Sequence, residues 1–155
     1  MTNNLLYVLL GYLACSVFSV LFNMGLSTLS EQVPFLWLTV PPLVMLLLAL
    51  LVCFELVRGF ASVVVLAIVI LQVKSESLLL YFDVCHVNDQ HSIYSGLLAS
   101  VCLAVVIFLF VRAVRHKTIQ KSGMWMSILI ALVFEVFSRI SFLSISGWLY
   151  SLFEF

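Results

Sequence analysis

Charged residues are scarce in this sequence. Seven Lys or Arg and seven Asp or Glu make up 9% of 155 residues, whereas an ordinary soluble domain carries about 25%. So few polar residues cannot cover the surface of a water-soluble globule of this length. The charges also cancel, which excludes the basic footprint of a nucleic-acid-binding protein. The composition therefore predicts one domain over residues 1–155 that is surrounded by lipid, with no soluble domain.

The sequence has four cysteines, and their spacing indicates no redox or lipidation chemistry. None of the four cysteines forms a CxxC pair, and three lie in apolar runs, where Cys usually behaves as a small hydrophobe. Leu13-Ala14-Cys15 resembles the lipidation site of a lipoprotein signal peptide. Because no basic segment precedes it, we expect neither cleavage nor lipidation.

The long uncharged runs predict transmembrane helices, because a helix of about 20 apolar residues crosses the hydrocarbon core and the alternation of a membrane barrel is absent. The run 35–73 is interrupted only by Glu55 and Arg58. As one helix it would be about 58 Å long, roughly twice the core, so we expect it to fold back near Gly59, which tolerates a positive φ. The alternative is four spans, with 39–73 dipping in and returning. The favoured all-α bundle has five spans, at about 5–26, 35–56, 60–82, 93–111 and 124–150.

The basic residues predict the orientation of these spans, since cytoplasmic loops are enriched in Lys and Arg. The cationic cluster between the fourth and fifth spans consists of Arg112, Arg115, Lys117 and Lys121. It places the N-terminus in the cytoplasm and the C-terminus outside, and the compact loops suggest a bacterial inner membrane. Anionic lipid headgroups are an alternative reason for the same cluster.

Two stripes of small or polar residues predict close helix packing. We interpret them either as packing faces inside one subunit or as oligomer contacts. The first span carries Gly11, Cys15, Ser19 and Asn23, and the fourth carries Gly96, Ser100 and Ala104. In the second span, Pro41-Pro42 predicts a helix start near the outer surface, although a kink is the alternative.

Four charged residues lie within the predicted spans, where each costs a few kcal/mol and usually faces the bundle interior or water. They are Lys74, Glu76, Glu135 and Arg139. All four fall in one layer, about 16–25 Å from the cytoplasmic ends of their helices. We predict that spans three and five face each other and that Arg139 bridges Glu135 and Glu76. The alternatives are a structural ion network, a site for protons or a polar solute, and snorkelling of Lys74 and Glu76 to the interface.

The predicted outer loop at 83–91 concentrates residue types that bind transition metals. These candidates are Asp83, Cys85, His86, Asp89 and His91. Their spacing matches no zinc motif, and a short solvated turn contains the same residue types. We therefore expect no cofactor.

Three functional hypotheses follow. The first is a non-catalytic protein that binds another membrane protein or a second copy of itself, as an accessory subunit, assembly factor or inhibitor. The second is a small transporter or channel-forming subunit that uses the charge layer. The third is a membrane enzyme or metal-binding protein that uses loop 83–91, although no catalytic constellation supports an enzyme.

Overall fold

The computed structural model describes residues 2–33, 36–86, 90–140 and 151–152. Up to residue 140, these residues form five helices and no strand. The helices are α1 (Thr2–Gln32), α2 (Leu36–Cys53), α3 (Phe60–His86), α4 (Gln90–Arg115) and α5 (Lys121–Arg139). All except α2 are long and apolar enough to span a membrane, and α2 adds a shorter apolar segment, Leu38–Cys53. The all-helical prediction is confirmed.

Three helices extend beyond the predicted spans, because polar residues continue a helix past the apolar run that identifies it. This applies to α1, α3 and α4. The nine-residue loop predicted at 83–91 is therefore wrong in its extent: the backbone is helical up to His86 in α3 and again from Gln90 in α4. Asp89 lies outside the described residues.

The helix start predicted at the two prolines is wrong, since α2 begins at Leu36 and contains both of them. A proline has no backbone N–H, so Pro42 cannot donate the usual helical hydrogen bond to the carbonyl of Leu38. The fold-back after α2 is confirmed. The turn that follows uses positive φ angles at Glu55 (55°) and Gly59 (67°).

The fifth helix ends earlier than the predicted span 124–150. It closes at Arg139, and Ile140 is extended, with φ −91° and ψ 94°. The backbone N–H of Ile140 donates to the Phe137 carbonyl at 3.3 Å, a tighter turn than the α-helix makes. Residues 141–150 lie outside the described residues.

The third helix is central, because each of the other four packs against it. On one side, Val69 lies in a buried cluster formed with α2 and α4 that includes Met45 and Val106. On the other side, Ala67 lies in a second cluster that includes Cys15 of α1 and Ile130 of α5. One face of α3 thus packs against α2 and α4, and the other packs against α1 and α5.

The basic residues other than Lys74 and Arg139 gather at one end of the bundle. The turn after α2 and the turn after α4 line the same pocket, which includes Arg58 and Gly123. Arg112 and Arg115 lie in the last turn of α4, where cations interact favourably with the helix dipole. Arg58 therefore lies at the same end as the cationic cluster, as the alternation of spans requires.

Candidate functional site

The small-residue stripe of α1 is used mainly inside the bundle. A Cβ atom added to Gly11 would lie 2.4 Å from Cδ1 of Ile130 on α5, so only glycine permits this approach. One residue on, the Tyr12 ring lies 5.8 Å from that of Phe137, centroid to centroid. Cys15 is buried, whereas Asn23 at the far end of the stripe is exposed. The internal-packing interpretation holds for α1.

The small-residue stripe of α4 points outward at Ser100 and Ala104, whereas Gly96 faces α3, where a Cβ atom would lie 3.8 Å from Cδ2 of Leu80. Ser100 and Ala104 are exposed and Gly96 is half-buried, while the buried face of α4 lies around Cys102 and Val106. The Ser100 hydroxyl donates to the Gly96 carbonyl at 2.7 Å, so its polar group is already satisfied within the helix. This face of α4 remains available to another helix.

An ion cluster joins α3 to α5. The Lys74 ammonium contacts Oε1 of Glu135. Arg139 donates to the same oxygen from Nε at 3.1 Å and from Nη2 at 3.0 Å. The prediction that spans three and five face each other is confirmed. The cluster is not deeply buried, since the side chains are 42% (Lys74), 30% (Glu135) and 73% (Arg139) exposed.

Glu76 takes a different direction from Lys74. Residues two apart on a helix point about 200° apart, so Lys74 and Glu76 cannot both face α5. In the described residues, the ion pair that joins two helices is Lys74–Glu135. The predicted bridge from Arg139 to Glu76 is wrong, because Glu76 does not face α5. Glu76 is 4% exposed and faces the interior.

A cavity of about 330 Å³ lies in the half of the bundle away from the basic turns. Glu76 and Glu135 both line it, so the charge layer borders this space. The sequence showed Gln72 one turn before Glu76, but it did not show that both face the stripe of α1. The other polar residues of the wall are Ser19, Asn23, Gln72, Ser75 and Ser95.

The metal candidates of segment 83–91 have side chains outside the described residues. Among the side chains that the structure does describe, His, Cys, Asp and Glu form no group of three that could hold a metal. Cys15, Cys53 and Cys102 are free thiols. The described chemistry is therefore that of the ion cluster and the cavity.

Together these features define an all-helical protein in which four helices are fit to span a membrane and an ion cluster borders a partly polar cavity. No protein-family model, curated protein or solved structure matches the chain.

Proposed function

We propose that this protein is a multi-pass membrane protein that acts without catalysis, by binding another membrane protein or a second copy of itself. Accessory subunit, assembly factor and inhibitor are the roles that fit. The observation that carries the proposal is the outward face of Ser100 and Ala104 on α4, the two exposed members of its small-residue stripe. In lipid, helices associate through close packing at small residues, because lipid tails are as apolar as the side chains and provide no hydrophobic drive.

The two stripes differ in a way that favours this role. The α1 stripe already receives Ile130 at Gly11, so it is occupied by the protein's own α5. In the α4 stripe, Ser100 and Ala104 are exposed, so no described helix covers this part of it. A partner helix that packs here would bury small side chains and would leave no polar group of this face without a hydrogen bond, since the Ser100 hydroxyl already donates to the Gly96 carbonyl.

Crosslinking within the membrane tests the α4 face. A photoreactive diazirine amino acid at position 104 should give one defined protein adduct on illumination of native membranes. Ser100→Phe should reduce that adduct about fivefold or more, because a large side chain prevents close approach. The size of the adduct distinguishes a second copy from a different protein.

Val101→Phe is the matched control, because it adds the same ring to the neighbouring, exposed position, which lies outside the stripe. It should leave the adduct unchanged. Equal losses in both variants, or only diffuse lipid adducts in the unmodified chain, would contradict partner binding through α4.

For the membrane itself, we propose the bacterial inner membrane, with five spans, a cytoplasmic N-terminus and an external C-terminus. The clustering of Arg58 with the basic turn after α4 supports this orientation. Reporter fusions at residues 2 and 155 should therefore read opposite sides. If both reporters lie on the same side of the membrane, the four-span alternative is favoured, in which the segment around α2 enters the membrane and returns to the same side.

A second function is favoured by a separate observation. The cavity of about 330 Å³ bordered by Glu76 and Glu135 supports a small transporter or channel-forming subunit that binds a polar solute within the membrane. Purified protein in vesicles should then show solute uptake that depends on the cavity residues.

A further inference from the structure

A second pocket, of about 200 Å³, lies where α2 and α4 end, beside the basic turns. Arg112, His116 and Thr118 line it, and each can donate a hydrogen bond to a phosphate. Apolar walls are added by Phe54 and Leu109. We propose that this pocket binds the headgroup of an anionic phospholipid. The inference rests on the membrane location and topology proposed above, and it is independent of partner binding through α4.

The positive charge of the pocket is not balanced by the protein's own ion pairs. No carboxylate of the described residues lines the pocket. The described ion pairs both involve Glu135, which lies in the other half of the bundle. Glu55 follows α2 directly, but it lines the neighbouring pocket together with Arg58. An anion beside Arg112 therefore meets a cation that no described carboxylate neutralises.

The end of α4 does not need the Arg112 side chain as a cap. The N–H of Thr118 donates to the Ala113 carbonyl at 3.0 Å, and Lys117 has a positive φ of 54°. These are the marks of a Schellman motif, in which backbone donors satisfy the last carbonyls of a helix. The helix dipole is negative at this end, so an anion here is held by side-chain cations and not by the backbone.

The surroundings of the pocket favour a lipid over a soluble phosphate. Phe54 at its rim is largely exposed, and so is Phe108, which lies one turn before Arg112 on the same face of α4. Acyl chains can cover these two rings while the phosphate reaches the guanidinium, whose planar fork binds phosphate through two hydrogen bonds. A free phosphate would leave both rings uncovered.

The volume and the charge limit the kind of headgroup. At roughly 30 Å³ for each water in the liquid, 200 Å³ corresponds to about seven waters. A phosphate with a glycerol substituent fits this space, and its hydroxyls suit the polar wall. A choline substituent instead brings a cation next to Arg112, so the pocket selects phosphatidylglycerol over phosphatidylcholine.

The test titrates the full-length purified protein with these two lipids, matched in their acyl chains, and counts bound lipid by native mass spectrometry. Phosphatidylglycerol should bind saturably at one site and about fivefold or more tighter than phosphatidylcholine. Absence of saturable binding, or equal binding of the two lipids, would overturn the proposal whatever any variant does.

Two matched variants locate the site. Arg112→Gln should weaken binding of phosphatidylglycerol about fivefold, because it removes the cation of the pocket wall. Arg115→Gln removes the same charge from an exposed position in the same turn that does not line the pocket, so binding should stay unchanged. Equal losses in the two variants, or tight binding that survives Arg112→Gln, would refute this pocket.

The headgroup without its acyl chains tests the choice of a lipid. Glycerophosphoglycerol should bind about tenfold or more weaker than phosphatidylglycerol, because it makes no apolar contacts with the exposed rings. Equal affinity would overturn the lipid and assign the pocket to a soluble phosphate ester.

The reporter fusions separate this inference from the topology on which it rests. Selective binding of phosphatidylglycerol with both reporters on one side would retain the pocket and reject the topology. Unselective binding with reporters on opposite sides would reject the pocket and retain the topology.

Discussion

Replacing Glu135 with leucine should destabilise the bundle by about 1.5–3 kcal/mol, the usual worth of a hydrogen bond to a charged group, because the cluster is only partly buried. The variant leaves the Lys74 ammonium and the Arg139 guanidinium beside each other with no carboxylate between them. Unfolding of the purified protein by SDS in mixed micelles measures the loss of free energy.

Paired variants show whether the cost comes from the uncompensated charges. Adding Lys74→Met to Glu135→Leu should restore much of the stability, because an apolar pair of similar volume replaces a strained arrangement of like charges. Arg139→Met alone should cost less than about 1 kcal/mol, since this side chain is 73% exposed at the helix end. If the double variant is as unstable as the sum of its single variants, Lys74 and Glu135 do not act as a pair.

Gly11→Ala should be the other strongly destabilising change, at about 1–3 kcal/mol, the usual cost of overpacking a core. The new Cβ would lie 2.4 Å from Cδ1 and 2.9 Å from Cγ1 of Ile130, whose side chain is completely buried and has little room to move. The same SDS titration measures the effect.

Gly25 provides the control on the same helix, because a Cβ there meets no atom within 4 Å. Gly25→Ala should be neutral or stabilising by up to about 1 kcal/mol, as alanine is the better helix former. Ile130→Val removes the nearest methyl group, so it should recover part of the loss in Gly11→Ala. Equal effects of the two alanine substitutions would mean that α1 and α5 do not approach as described.

The order of the helices could be predicted from the sequence because it depends on local properties. Uncharged runs of adequate length identify each helix, and the pair of charges with Gly59 identifies the turn after α2. The contact between α3 and α5 was also predictable, since charges in an apolar helix need partners. These inferences use only composition and spacing along the chain.

What the sequence did not reveal depends on how each helix is rotated about its axis. Gly11 and Gly96 begin similar stripes, yet only the tertiary structure shows that the first packs against Ile130 and that the second continues into the exposed residues Ser100 and Ala104. Lys74 and Glu76 share a helix, but their opposite directions decide which of them meets Glu135. The cavity also depends on the rotation of each helix about its axis, because five helices contribute residues to its wall.

The long separation between Lys74 and Glu135 has a consequence for biosynthesis. The two residues lie 61 positions apart, and at 5–20 residues per second a ribosome needs about 3–12 s to make the intervening chain. For that time, a nascent α3 holds an ammonium whose carboxylate does not yet exist. An insertion machinery that retains polar helices until their partners emerge would hold α3 until α5 arrives, so α5 completes the surroundings of the central helix.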